Sequence, residues 1–125
     1  KNDFNLKQVP FGLHLLRKHK TKTIALVESE KTACLMSTFM PNFIWLAIGS
    51  CQNLTYNMLS EIKTREVVLF PDAGKFDLWA SKIQDLPKSN FYEVSDLLHL
   101  KSTEEEKRKD FDIADYCLRA YLNEI

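Results

Sequence analysis

Three observations predict an α/β fold, an open parallel sheet of about four strands with helices on both faces. Short apolar runs recur along the chain without the polar alternation of a half-exposed strand. Each is followed by a stretch whose apolar residues keep helical spacing. The four prolines and three glycines fall almost entirely between these segments. Parallel strands need a long return connection, which a helix supplies, so this alternation is what a sheet buried on both faces requires.

Taken in order, residues 23–27 (TIALV) are a short β-branched run that reads as the first strand, and 30–40, with apolar residues at Ala33, Leu35, Met36, Phe39 and Met40, reads as a helix. Pro41 and Asn42 stop that helix, and 43–47 (FIWLA) is a second buried strand. Thr55 is placed to cap a helix running to Ile62, with Leu54, Met58, Leu59 and Ile62 inward. Residues 66–70 (EVVLF) make a third strand. Phe76, Leu78, Trp79, Ile83 and Leu86 mark a third helix, ended near Pro87, and 91–94 is a weaker fourth strand. A short segment, 95–100, and a charged stretch, 101–110, lead to a last helix over 113–123, with Ile113, Cys117, Ala120 and Tyr121 on one face. The strand core is Ile24, Leu26, Ile44, Leu46, Val67 and Leu69.

The 125 residues read as a single domain, long enough to bury roughly two thirds of its unfolded surface without disulfides or a structural metal. Residues 1–20, with a short helix at 12–18, read as a lead-in cut from a longer chain, and 23–118 as the core. Forty-five per cent hydrophobic residues exclude disorder. The longest apolar run, 43–48, is far short of the roughly 18 residues of a membrane span, and residues 1–5 make no signal sequence, so a cytoplasmic protein is expected. Cys34, Cys51 and Cys117 are odd in number and spaced 17 and 66 apart, which suits reduced thiols better than a disulfide or zinc framework. Seventeen basic and seventeen acidic side chains cancel. A domain that grips nucleic acid alone usually carries a basic excess. Affinity for such a partner must then come from metal ions, a local patch or a neighbouring domain.

In open parallel sheets, ligands bind beyond the carboxyl ends of the strands. Glu28 follows the first strand directly, and Asp72 follows the third after Phe70 and Pro71. Asp110, Asp112 and Asp115 precede or open the last helix. Carboxylates gathered at one edge repel unless protonated or bridged by a cation. Mg2+ suits them, and it favours phosphoryl or nucleotidyl transfer. Each acid also has a plainer reading. Glu28 and Asp77 would complement a helix dipole, Asp72 would close an Asx turn, and Asp112 with Asp115 would form a capping pair. Residues 104–109 (EEEKRK) read as a solvated helix with i,i+4 pairs. Lys31, Lys63, Arg65 and Lys75 are a candidate phosphate-facing patch, or simply exposed cations. The histidines show no metal-ligand spacing, and no P-loop, GxGxxG or nucleophile elbow is present.

Residues 24–33, IALVESEKTA, resemble the opening motif of the Toprim domain shared by topoisomerases and primases, where a strand ends in Glu and turns into a helix. The resemblance continues through Gly49 in AIGS and VVLFPDAG. It ends in DFDIADYCL, which is similar to the acidic motif closing the Toprim region of phage-type primase helicases. VESEKTA with FPDAG looks closest to primase-like proteins of bacterial mobile elements. The resemblance implies that Glu28 is a general base or acid beside a metal, that Asp72 is the first acid of an Asp-x-Asp pair, and that Asp112 is the late metal-binding acid. Asp115 stands where Asp or Glu is common. The second acid of the pair falls at Gly74 and is missing, with Asp77 the substitute from the next turn. Lys31, Gly49, Ser50 and Lys75 are the implied phosphate or nucleic-acid contacts.

The implied function is Mg2+-dependent (or Mn2+-dependent) nucleotidyl or phosphoryl transfer, in DNA replication or mobilisation. Its partners are nucleotides and a DNA or RNA template held with help from another domain. Two alternatives stand beside it: a Toprim-type nuclease, and a fold that has lost catalysis and serves as a binding or scaffold module, which Gly74 and the neutral charge favour.

Overall fold

A computed structural model describes residues 10–55, 59, 62, 65–86 and 91–123. Four parallel strands, β1 (Ile24–Val27), β2 (Ile44–Ala47), β3 (Glu66–Leu69) and β4 (Phe91–Val94), form one sheet in the order β2-β1-β3-β4. The α/β architecture is the one the sequence pattern predicts. Helix α1 (Glu30–Phe39) returns the chain from β1 to β2, and α2 (Phe76–Lys82) returns it from β3 to β4. Register pairs Val27 with Ala47 and Leu26 with Leu69, so the carboxyl ends of the three strands nearly align. Because β2 and β3 flank β1 on opposite sides, the crevice between the ends of β1 and β3 is the switch point of the sheet.

The strands are apolar throughout because both faces are covered. On one face Ile24, Leu26, Ile44, Leu46, Val67 and Leu69 pack with Trp79 of α2, Leu86, Leu59 and Ile62. On the other, Ala25, Val27, Trp45 and Ala47 lie under Ala33 and Met36 of α1 and under Ile113 and Ala114 of α5 (Ile113–Asn123). Three alanines at this contact let α1 lie close on β1 and β2. Ser29 starts α1 by accepting the Thr32 N–H at 3.0 Å, and Met40 ends it before Pro41.

Several boundaries differ from expectation. The lead-in helix is a five-residue 3-10 segment, Leu13–Arg17, preceded by an antiparallel bridge from Phe11 to Ala47 that covers the β2 edge. The third helix tightens into a 3-10 turn at Ile83–Asp85. Helix α3 (Leu97–Lys101) starts in segment 95–100 and runs one residue into the charged stretch, which also holds α4 (Glu104–Arg108) with a complete Thr103/Glu106 capping box. Most of the helix expected over 55–62 lies outside the described residues, although Leu59 and Ile62 are buried in the core. Leu35, Leu78 and Tyr121, part of the apolar patterns that mark these helices, are 42%, 49% and 56% exposed. The sheet is only four strands wide, so α5 buries its first turn and leaves 118–123 outside. No described helix is long and apolar enough to cross a membrane.

Candidate functional site

Three connections meet at the carboxyl edge. Glu28 is the first residue past β1, and its main-chain carbonyl accepts the Gly49 N–H at 2.8 Å, which holds the β2 exit loop beside it. Gly49 has φ +87, a left-handed conformation natural to glycine. Asp72 follows β3 in a turn closed by the Lys75 N–H on the Asp72 main-chain carbonyl at 3.0 Å. A main-chain turn thus stands in place of the Asx turn, and the Asp72 carboxylate does not close it.

The third connection is the segment from α4 to α5. Its Phe111 carbonyl accepts the Ala73 N–H at 2.7 Å, and its Lys107 carbonyl would stand 2.7 Å from a Cβ added at Gly74, whose φ is +90. No side chain fits at position 74 unless backbone moves. The acid that the resemblance leads one to expect there is thus excluded by the same segment that carries Asp110 and Asp112 to this edge. Asp110 itself adopts a left-handed φ of 53, uncommon for a side chain with a Cβ.

Lys75 lies among the acids, its Nζ 3.7 Å from Glu28 Oε1 and 3.8 Å from Asp110 Oδ1. Partial burial pushes this ammonium down, but Glu28, Asp110 and Asp72 together hold it above its ordinary value. One cation does not balance the group. Burial, then the charges of Glu28 and Asp112, raise the Asp72 carboxyl from 3.8 to about 7 against the opposing pull of Lys75, with Asp110 adding to the rise. Glu28 Oε1 is closed off from solvent and makes no hydrogen bond.

Asp112 caps α5 with both oxygens engaged. Oδ1 accepts the Asp115 N–H at 2.8 Å and Oδ2 accepts the Thr32 hydroxyl at 2.9 Å, while Asp115 Oδ2 accepts the Asp112 N–H at 3.0 Å. The capping pair is real, and it occupies Asp115. Asp77 sits exposed on the first turn of α2, and neither it nor Asp115 is among the charges that dominate at Asp72. Among the described residues, no three His, Cys, Asp or Glu side chains are drawn in closely enough to hold a metal ion as they stand.

Of the proposed phosphate contacts, Lys75 is central and Ser50 half-buried beside Gly49. Lys31 is exposed and lines a cleft of about 210 Å3 between α1 and α5, together with Thr32, Asp112 and Asp115. Lys63 lies outside the described residues. Arg65 precedes β3 at the opposite edge, where its guanidinium donates to the carbonyls of His19 and Lys22 at 2.9 and 2.6 Å, so it does not join the patch. Sequence reasoning named neither Thr32 nor Ser29. An N-cap serine was legible, but the partner of Thr32 is 80 positions away.

The family model for a domain of unknown function, DUF6371, matches residues 1–73, a span that takes in Glu28 and Asp72 and stops just before Gly74. No curated protein and no solved structure matches the chain.

Proposed function

Because the chain belongs to the DUF6371 family, whose description assigns no activity, we propose its function from the geometry of the carboxyl edge. It is the Toprim-type domain of a primase-like protein, carrying out Mg2+-dependent (or Mn2+-dependent) nucleotidyl or phosphoryl transfer on nucleic acid in DNA replication or mobilisation, in the cytoplasm. The observation that carries this reading is the position of Asp72 at the switch point, close enough to Glu28, Asp112 and Asp110 that their charges act on it while Lys75 alone opposes them.

The residues present suit a hard divalent cation. Their donors are oxygens, and Glu28 Oε1, shut off from solvent, makes no hydrogen bond and meets only the Lys75 ammonium at 3.7 Å. Mg2+ commonly takes only one or two carboxylates, keeps several waters and completes its shell from substrate phosphates, so a tight three-carboxylate cage is not a precondition. Asp72 and Asp112 would hold the ion, with Glu28 alongside. Once bound, it supplies charge neutralisation at the phosphate oxygens.

The chain's own groups do the rest. Glu28 exchanges a proton with the attacking or leaving hydroxyl, a role that needs a carboxylate near the reacting oxygen and not fully committed elsewhere. Lys75, placed among the acids, would offer positive charge to a bound phosphate, and Lys31 and the Gly49–Ser50 loop flank the approach. With no net charge, the domain leaves most of the template grip to another part of the protein.

Calorimetric titration with Mg2+ and Mn2+ tests this. Binding at millimolar concentration or below, lost in Asp72→Asn, is the expected result, and absence of binding removes the mechanism. Primer synthesis and nicking assays with a Glu28→Gln control then separate polymerising from hydrolytic chemistry. One observation favours a second reading, a scaffold that has lost catalysis: the backbone contact at Gly74 leaves no room for the second acid. Under that reading Glu28→Gln leaves the full-length protein's activity intact.

A further inference from the structure

The N-termini of α1 and α5 are bonded to each other through side chains, in a way that helix capping does not require. Ser29 is the N-cap of α1, and Thr32 occupies the position from which a capping-box side chain normally reaches back to the cap's own N–H. The other two boxes close on themselves: Glu106 Oε1 accepts the Thr103 N–H at 2.9 Å, and Asp115 Oδ2 accepts the Asp112 N–H at 3.0 Å. Thr32 instead stays against the cap side chain, its Oγ1 2.8 Å from Ser29 Oγ, and donates to Asp112 Oδ2 of the other helix at 2.9 Å.

The proton order in this chain is fixed by chemistry. Thr32 Oγ1 has one hydrogen and gives it to Asp112 Oδ2, so it has none left for Ser29. The 2.8 Å contact between Ser29 Oγ and Thr32 Oγ1 is then donated by Ser29, whose remaining lone pairs take the Thr32 N–H. Among the described residues Thr32 is the one buried polar side chain, at 3% exposure, while its partner Asp112 is half-buried beside the cleft between α1 and α5. Asp112 is left with one oxygen held by α5 and the other by α1, which fixes the plane of the carboxylate.

We infer that Ser29 and Thr32 are positioning residues that aim the Asp112 carboxylate toward the cation. The inference rests on the cation-binding reading given above. The relay keeps Asp112 a strong hydrogen-bond acceptor in one orientation, as partners of metal-ligating groups do elsewhere, where their loss typically weakens metal affinity about 10- to 100-fold.

The test is Mn2+ affinity of the intact chain, measured by electron paramagnetic resonance of free ion, for wild type, Thr32→Val, Thr32→Ser and Ser29→Gly. Thermal unfolding of each variant is followed in parallel. Thr32→Val keeps the shape and removes the hydroxyl, and weakening of about 10- to 100-fold is expected, with Thr32→Ser close to wild type. Ser29→Gly keeps a tolerated cap residue while removing the upstream donor together with the acceptor of the Thr32 N–H, a minor cap loss, so a smaller loss of affinity is expected even if Thr32→Val does not fold. A merely structural role would lower the unfolding temperature and leave the affinity of the folded protein unchanged; wild-type affinity in folded Thr32→Val or in Ser29→Gly overturns the inference while the cation reading stands. No Mn2+ binding by wild type overturns both.

Discussion

The two ends of the sheet use polar side chains in opposite ways. At the amino end, Arg65 donates to the carbonyls of His19 and Lys22, Lys22 Nζ donates to the Pro41 carbonyl, and Thr23 donates to Glu66. Each of these bonds ties together segments distant in sequence. At the carboxyl end, Glu28, Asp72 and Asp110 surround Lys75, Asp112 adds its charge at Asp72, and a buried Glu28 oxygen has only the Lys75 ammonium at 3.7 Å near it and no hydrogen bond. The first arrangement spends its polarity on the fold, whereas the second holds charge the fold does not neutralise. Such an excess costs stability unless a ligand compensates it, which is why function is sought there.

The comparison can be broken most forcefully at Gly74. Replacing it with Asp, the acid the resemblance leads one to expect, puts a Cβ 2.7 Å from the Lys107 carbonyl at a left-handed φ. Left-handed strain and overpacking together should cost on the order of 3 kcal/mol in urea unfolding. A neutral or stabilising result would show that the α4 segment does not shape this edge.

Next in size is the pH dependence of Asp72. Its carboxyl is raised from 3.8 to about 7, so between these values the folded protein holds a proton that the unfolded chain has released. Stability from this group is therefore full below about pH 4 and declines as pH rises to about 7. Discounted for solvent screening, Asp72→Asn should be more stable than wild type by about 2 kcal/mol at pH 8 and level with it in acid. Urea unfolding at both pH values checks the sign. A divalent cation should close the gap by stabilising wild type alone.

At the amino end, Arg65→Met should cost about 1 to 2 kcal/mol through two lost charge-assisted bonds, with no change in cation affinity. A shift in affinity would mean the two ends are not separable. The smallest effect is expected on α4, where the exposed pair of Lys109 with Glu105, at 3.1 Å, should contribute about 0.3 to 0.5 kcal/mol. Thermal unfolding of Lys109→Ala in low and high salt measures it.

What could be read without coordinates follows from how local each cause is. The strands were legible because burial on both faces leaves an uninterrupted apolar run. Glu28 and Asp72 were legible because a residue just past a parallel strand must fall at the carboxyl edge. The Asp112/Asp115 box was legible from three-residue spacing. The rest depends on contacts between distant segments. Nothing near Gly74 in sequence announces the Lys107 carbonyl, nothing near Thr32 announces Asp112, and Asp110 faces Lys75 only because α4 folds back over the β3 exit. Apolar residues at helical spacing mark the helices without fixing their burial, which a narrow sheet does not supply at Leu35, Leu78 and Tyr121.

The most direct measurement is paramagnetic broadening of backbone amide signals as Mn2+ is added to the intact chain. The account predicts that signals of Glu28, Ala73 and Asp112 broaden first and together, while those of Arg65 and Glu66 at the opposite end persist. Equal broadening at both ends, or broadening that begins at Glu104–Glu106 on α4, would contradict a common cation site at the carboxyl edge.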